Sequence, residues 1–117
     1  MKYNVYHNPR CRKSREAIKY LEDIGADFTI VKYLDQAFDQ NTLSEVLSKI
    51  NLKPSQILRK NELIWKKEFS KKNLTEEAML NLLIAHPQLI ERPIVTTPES
   101  GVLARPIENL INFLKYV

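Results

Sequence analysis

The feature that most constrains the fold is the order of elements in the first third of the chain. Residues 3–7 alternate as a short strand does, and an Asn-Pro turn follows that a helix does not cross easily. Residues 14–24 carry apolar side chains at helical spacing, and Gly25 after them is a typical helix C-cap. Residues 28–34 predict a second strand. A strand, a helix and a strand in this order predict a right-handed parallel crossover.

The middle third of the chain is predicted to be helical. Asn41 or Thr42 is a candidate N-cap for a helix that ends before Pro54, and Pro54 suits the first turn of another short helix. A clearer helix opens at residues 75–77 and stops at His86, because the proline after His86 cannot continue it. We interpret His86 as a helix-end residue, since no catalytic partner for it is evident.

The last third predicts a β-hairpin and a final helix. Residues 94–97 and 102–105 are strand-like and are separated by a Pro-Glu-Ser-Gly turn, and an amphipathic helix covers residues 107–115. With the crossover, these elements predict an α/β protein with a small mixed four-stranded sheet flanked by helices and a helical insert at about residues 41–86. This is a thioredoxin-like plan, and we expect residues 1–117 to form a single domain.

Cys11, the only cysteine, lies at the predicted N-terminus of the first helix. Peptide N–H groups and the helix dipole favour negative charge there, so the turn suits a thiolate. Positively charged neighbours are expected to lower the thiol pKa further and make Cys11 nucleophilic at neutral pH. These neighbours are Arg10, Arg12, Lys13 and Arg15, with His7 just behind. The alternative, a small buried apolar residue, fits such a charged turn less well.

Composition and motif content argue against several other classes of protein. The formal charge is only +4 over 117 residues, and the basic pairs are scattered among carboxylates, so nucleic-acid binding is disfavoured. No glycine-rich phosphate loop and no Cys/His zinc spacing is present, so we expect neither a bound cofactor nor a metal. A single cysteine, no signal pattern and no membrane-length apolar run predict a cytoplasmic protein without membrane association.

Three arginines stand in distinctive settings. Arg59 follows an apolar helix end, whereas Arg92 and Arg105 each precede a proline that holds the backbone extended. In a thioredoxin-like sheet, the segment entering the third strand lies across from the reactive cysteine, so Arg92 and Pro93 are expected to face it. Pro93 is a candidate cis-proline. Guanidinium groups that converge on a thiolate can bind a tetrahedral oxyanion; the alternative for each arginine is a surface ion pair.

Four segments of the chain match the motifs of one family, in order and at matching separations. They are YHNPRCRKSR at residues 6–15, LRKN at 58–61, HPQLIERPIV at 86–95 and Arg105-Pro106. On these segments the chain resembles the glutaredoxin-coupled arsenate reductase family, and the resemblance covers essentially the whole length.

The resemblance also implies a set of site residues. Cys11 falls on the family's nucleophile, and His7 falls on the histidine thought to help keep that cysteine ionised. The remaining members are Ser14 in the catalytic set, Arg59, Arg92 and Arg105 as oxyanion-binding arginines, and Pro93 as a structural residue at the site. By the same resemblance, the Cys11 thiolate attacks arsenate, glutathione displaces an oxygen to give a mixed arsenic–sulfur adduct, and glutaredoxin drives the release of arsenite. The single cysteine fits this scheme, because the second thiol must come from outside.

Two departures from familiar plasmid-type members are visible. Those members have small residues around the cysteine and a longer C-terminal tail, whereas this chain has Arg10, Arg12 and Lys13 and stops at Val117. The wider superfamily of ArsC, Spx and YffB-like proteins leaves two alternatives open. One is a thiol-dependent oxidoreductase with another substrate, and the other is an Spx-like transcription regulator that binds RNA polymerase. Spx switching uses Cys-x-x-Cys, so Ser14 argues against such a switch.

Overall fold

The predicted crossover forms one half of the sheet in a computed structural model that describes residues 2–116. Strand β1 (Lys2–Tyr6) leads through a short loop into helix α1 (Arg12–Asp23), and β2 (Asp27–Val31) returns parallel to β1. Gly25 ends α1 with a φ of +71°, a conformation that residues with a side chain rarely adopt. The crossover therefore brings the β1–α1 loop and the end of β2 to the same edge of the sheet.

The predicted hairpin completes a mixed sheet with the strand order β2-β1-β3-β4. Strand β3 (Ile94–Thr96) runs antiparallel to both β1 and β4 (Gly101–Leu103), and helix α4 (Ile107–Leu114) follows. The segment before β3 enters beside the end of β1, since Ile94 pairs with Tyr6. This confirms the predicted α/β fold class and puts the residues that precede β3 next to the β1–α1 loop.

Helices fill the chain between β2 and β3, as the sequence predicts. Helix α2 (Gln40–Ile50) and helix α3 (Glu76–Ala85) are the two regular ones. Three short helical turns lie between or after them, at Pro54–Ile57, Trp65–Phe69 and Pro87–Leu89. Thr75 caps α3 through a hydrogen bond from Ala78 N to its side-chain oxygen (3.1 Å).

Two of the differences from the predicted boundaries have a clear physical reason. Helix α2 is capped by Asp39 rather than by Asn41 or Thr42, because Asp39 Oδ1 accepts from Thr42 N (2.7 Å) while Asp39 N donates to Thr42 Oγ1 (2.9 Å). Strand β2 ends at Val31 instead of residue 34, because the chain turns at Lys32, whose carbonyl accepts two backbone hydrogen bonds. This turn buries the side chain that follows it.

The core consists of two apolar clusters. One packs α1 and α4 against the sheet, and its buried members are Val5, Ala17, Leu21, Val95, Ala104 and Leu110. The other, larger cluster packs α2 and α3 together with the segments around residues 58 and 90; its members include Tyr33, Phe38, Leu43, Leu58, Ile90 and Ile94. Within residues 2–116, no helix is both long enough and apolar enough to span a bilayer.

Substituting Gly101 with alanine is expected to destabilise the hairpin. A Cβ at this position would lie 2.9 Å from Thr96 Cγ2, which is closer than real Cβ contacts come, and 3.0 Å from Ile50 Cγ2 and 3.1 Å from the Val95 carbonyl oxygen, which are tighter than most such contacts. We expect Gly101→Ala to lower the free energy of unfolding by about 1–3 kcal/mol, measured by urea denaturation. Glu99→Ala, in the exposed part of the same turn, is the control; equal midpoints for both variants and the wild type would contradict the packing argument.

Candidate functional site

Cys11 occupies the N-cap position of α1, as the sequence predicts. Its amide donates to the Asn8 carbonyl (2.9 Å), and its own carbonyl accepts from Arg15 N (3.1 Å), so the loop and the first helical turn fix its backbone. Asn8 Oδ1 accepts from Arg10 N (3.0 Å) and closes the turn before the cysteine. The side chain is 9% exposed, so the sulfur lies just below the surface.

The environment of Cys11 favours the thiolate over the thiol. Burial raises the pKa of Cys11, but hydrogen bonds from the Ser14 backbone N–H, the Arg92 guanidinium and the Ser14 hydroxyl lower it, and so does the Arg92 charge. The downward contributions together exceed the effect of burial, so the pKa of Cys11 lies below its ordinary value. The side chain makes no capping hydrogen bond of ordinary geometry, so the Ser14 N–H acts on the sulfur over a looser contact.

Ser14 is fully buried one turn into α1, and its hydroxyl oxygen accepts from Asn8 N (3.4 Å). Its own proton is therefore free to be donated to the sulfur. We expect Ser14→Ala to raise the pKa of Cys11, because the alanine keeps the backbone N–H but removes the hydroxyl. The rate of Cys11 alkylation by iodoacetamide as a function of pH measures this. The profile should move to higher pH in Ser14→Ala and stay in place in Ser48→Ala, which changes an exposed serine on α2. Identical profiles for Ser14→Ala and the wild type would contradict a contribution of the Ser14 hydroxyl to the pKa of Cys11.

Arg105 and Arg92 approach the sulfur from segments that are distant from Cys11 in sequence. Arg105 Nη1 lies 4.0 Å from Cys11 Sγ and 3.5 Å from the Arg92 carbonyl oxygen. Arg92 acts on Cys11 both through its charge and through a side-chain hydrogen bond. The Arg92–Pro93 peptide is cis, as predicted, and so is the Arg105–Pro106 peptide, which the sequence did not predict. The structure therefore brings two of the three predicted arginines to the cysteine.

Arg59 lies in the neighbouring segment but does not hydrogen-bond to Cys11 in the described part of the chain. Its backbone N donates to the Leu89 carbonyl (2.7 Å), and Glu91 N donates to Ile57 O (2.7 Å), so residues 57–59 run beside the segment that leads into Arg92. Arg59 Nη1 lies 3.7 Å from Glu62 Oε1, yet it is buried without a hydrogen-bond acceptor. Arg59 therefore has an unsatisfied buried donor close to the arginine pair.

His7 does not act on Cys11 as a cation. Burial lowers the pKa of His7, and the charges of Lys32 and Arg15 lower it further, so the imidazole is neutral at neutral pH. Its backbone N donates to Val31 O (3.0 Å), and its Nδ1 is buried with no partner within residues 2–116. These effects disfavour the expectation that His7 adds positive charge around the thiol, because burial and two cations oppose its protonation.

The basic residues beside Cys11 in sequence are also not the main source of positive charge. Their side chains point to solvent, and the positions concerned are Arg10, Arg12, Lys13 and Arg15. Arg15 Nη1 instead donates to the Pro9 carbonyl (2.9 Å), and Lys13 Nζ lies 3.9 Å from Glu16 Oε2. The charged group that lowers the pKa of Cys11 is Arg92, 81 positions away in sequence but adjacent in the fold.

Two site residues were missed in the sequence. Glu91 Oε2 lies 3.5 Å from Arg105 Nε and helps to hold that guanidinium over the thiol. Burial raises the pKa of Glu91, although the Arg105 charge opposes the shift. Tyr33 is buried in the turn after β2, and the charges of Arg92 and Cys11 act on the pKa of its hydroxyl. No clear signal in the sequence marks Tyr33, because the strand predicted over residues 28–34 includes it, whereas β2 ends at Val31.

The fold and the site together define a thioredoxin-like α/β protein with a cysteine whose surroundings favour the thiolate. The thiol caps a helix, a cis-proline precedes the antiparallel strand beside it, and arginines face the sulfur. Residues 6–113 match the profile of the ArsC family, and the chain belongs to that family.

Curated relatives and solved structures agree with this assignment. An arsenate reductase from Neisseria meningitidis serogroup A is 37% identical over 108 residues, which is 91% of this chain and 92% of that protein. An arsenate reductase from Escherichia coli strain K12 is 31% identical over 94% of this chain and 79% of that protein. The structure of an arsenate reductase from Vibrio cholerae superposes with a TM-score of 0.88 at 31% identity, over 96% of this chain and 97% of that one.

Proposed function

We propose that the protein reduces arsenate to arsenite, with Cys11 as the nucleophile and with glutathione and glutaredoxin as the external thiols. Relatives named arsenate reductases, at 30–37% identity over at least 91% of this chain, support a thiol-based oxidoreductase. A reducing compartment such as the cytoplasm is where reduced glutathione would meet the free thiol.

One observation carries the proposal: two of the predicted arginines have buried donors without a hydrogen-bond acceptor, and one of them, Arg92, acts on the Cys11 sulfur. Arg92 Nε and Arg59 Nη1 have no hydrogen-bond partner among residues 2–116. Buried guanidinium donors are normally paired, because an unsatisfied one costs stability. A tetrahedral oxyanion offers several acceptor oxygens with negative charge, so it would satisfy these donors and place its central atom near Cys11 Sγ.

The proposed reaction balances step by step. The Cys11 thiolate attacks arsenic and forms a sulfur–arsenic bond, and one arsenate oxygen leaves as water after protonation. Glutathione displaces a second oxygen in the same way and gives an adduct in which arsenic bridges two sulfurs. In the third step a glutaredoxin thiolate attacks the glutathione sulfur and breaks its bond to arsenic, so two electrons pass to arsenic, and glutathione and glutaredoxin end as a mixed disulfide. Water then hydrolyses the remaining bond between arsenic and Cys11, which releases arsenite and regenerates the thiolate.

In this scheme the side chains of the protein bind the oxyanion and stabilise the Cys11 thiolate. Arg92, Arg105 and Arg59 bind arsenate oxygens, and Ser14 keeps the Cys11 pKa low. His7 belongs to the proposed site as a neutral imidazole. The single cysteine means that no second protein thiol competes with glutathione.

An omission assay tests the proposal. Purified protein is incubated with arsenate, and arsenite is measured with glutathione and glutaredoxin together, with each alone, and with neither. We expect multiple turnovers only when both are present. Failure to form arsenite in the complete mixture would contradict arsenate reduction, whereas multiple turnovers with glutathione alone would contradict only the glutaredoxin step.

A further inference from the structure

Tyr33 is a buried tyrosine whose hydroxyl the reaction scheme above does not use. The side chain is 1% exposed, and its ring stacks on Phe38 with 6.0 Å between centroids. The hydroxyl has no hydrogen-bond partner in the described part of the chain. A buried hydroxyl without a partner destabilises a fold, so a phenylalanine would serve the core better if packing were the only role of this side chain.

The turn that carries Tyr33 lies beside the cysteine loop. β2 ends at Val31, and the Val31 carbonyl accepts from His7 N (3.0 Å), which ties the end of the strand to the residues before Cys11. The ring belongs to the same buried cluster as the residues that flank the site arginines, namely Leu58, Ile90 and Ile94. Tyr33 is therefore enclosed between the cysteine loop and the segments that hold Arg59 and Arg92.

The hydroxyl itself faces the reacting groups and stays protonated. Burial raises the pKa of Tyr33 to about 12, and the nearby Cys11 adds to this, although the Arg92 guanidinium, which is near the hydroxyl but not in hydrogen-bonding geometry with it, acts in the opposite direction. At physiological pH the group is thus a neutral donor. Its proton has no acceptor among residues 2–116, and neither has the Arg92 Nε–H.

We propose that the Tyr33 hydroxyl donates a hydrogen bond to an oxygen of the oxyanion that is held between Cys11 and Arg92. This inference rests on the proposed function, since it assumes that an oxyanion is the ligand of this site. It makes Tyr33 a substrate-binding residue. A neutral donor beside the guanidinium would orient the oxyanion without adding charge that competes with the thiolate.

The test compares Tyr33→Phe with a matched variant, Tyr6→Phe. Tyr6 also packs on Phe38, with 5.4 Å between the ring centroids. Burial raises the pKa of the Tyr6 hydroxyl. The other groups that act on this pKa are Thr96 and Glu45, not Cys11 or Arg92. Each substitution removes one hydroxyl oxygen from a tyrosine that packs on Phe38. Only Tyr33→Phe removes a hydroxyl from the proposed oxyanion site.

Arsenate binding is measured by calorimetric titration without glutathione, and stability by thermal unfolding. We expect Tyr33→Phe to weaken arsenate binding about tenfold, the effect of one hydrogen bond, and to raise the melting temperature by roughly 3–8 °C because an unpaired buried hydroxyl is gone. Tyr6→Phe is expected to change arsenate affinity less than about twofold.

The outcomes separate this proposal from the proposed function. If the wild type binds and reduces arsenate and Tyr33→Phe binds it equally well, the role of Tyr33 is overturned while the function stands. If Tyr33→Phe loses affinity and also melts at a lower temperature, the hydroxyl supports the fold, and the substrate-binding role is again overturned. If the wild type does not bind arsenate, both proposals are overturned.

Discussion

Arsenite formation by Cys11→Ser is expected to fall to the background rate, a loss on the order of 10³-fold or more. A serine hydroxyl is not ionised at neutral pH, so the interactions that favour the Cys11 thiolate have no equivalent anion to stabilise. The substitution removes no other contact of the loop, because the backbone amide and carbonyl of residue 11 make its hydrogen bonds to Asn8 and Arg15. The measurement is arsenite release with glutathione and glutaredoxin present.

A control shows that such a loss comes from chemistry and not from the fold. Cys11→Ser should retain the wild-type melting curve and bind arsenate, since the arginines are untouched. Substantial arsenite release by the folded variant would mean that sulfur at position 11 is not the nucleophile.

The second large effect is expected from Arg92→Ala, which removes both a guanidinium at the thiol and its buried Nε donor. We expect arsenate to bind more weakly by about 1.5–3 kcal/mol, roughly 10- to 150-fold in Kd, the scale of hydrogen bonds to a charged group. The pKa of Cys11 should also rise in this variant, because Arg92 contributes both charge and a hydrogen bond to the thiolate.

Arg12→Ala is the matched control for this prediction. Arg12 is next to the cysteine in sequence, but its side chain is exposed. Its removal should leave arsenate affinity within about threefold, because exposed charges interact weakly with a buried site. Unchanged affinity in Arg92→Ala, or an equal loss in both variants, would contradict a specific binding role for Arg92.

Much of the fold was predictable because its signals are local. The β1 pattern, the Asn-Pro turn and the spacing of α1 lie within one short stretch, and the hairpin is marked by its Pro-Glu-Ser-Gly turn. These elements were predicted with boundary errors of a few residues. The site followed from them in part, because the position of Arg92 and Pro93 before β3 depends mainly on topology.

The rest of the site depends on side-chain direction, which the sequence pattern does not encode. Arg10 and Arg12 are the nearest cations in sequence, yet they point to solvent, whereas Arg92 reaches the sulfur from a distant segment. The pattern of residues 28–34 predicts a strand that includes Tyr33, whereas the early end of β2 places this residue in a turn and buries its side chain. The directions of the arginine side chains and the burial of Tyr33 both depend on tertiary packing rather than on the periodicity of the sequence.

The most direct test of the central claim is the intact mass of the protein after reaction with arsenate and glutathione, without glutaredoxin, followed by acid quenching. The chain has one cysteine, so any arsenic–sulfur adduct on the protein is assigned to Cys11. We expect wild-type protein to carry an adduct that contains arsenic and one glutathione, and Cys11→Ser to carry none. Catalytic release of arsenite by wild-type protein without such an adduct, or an adduct on Cys11→Ser, would contradict attack by the Cys11 thiolate.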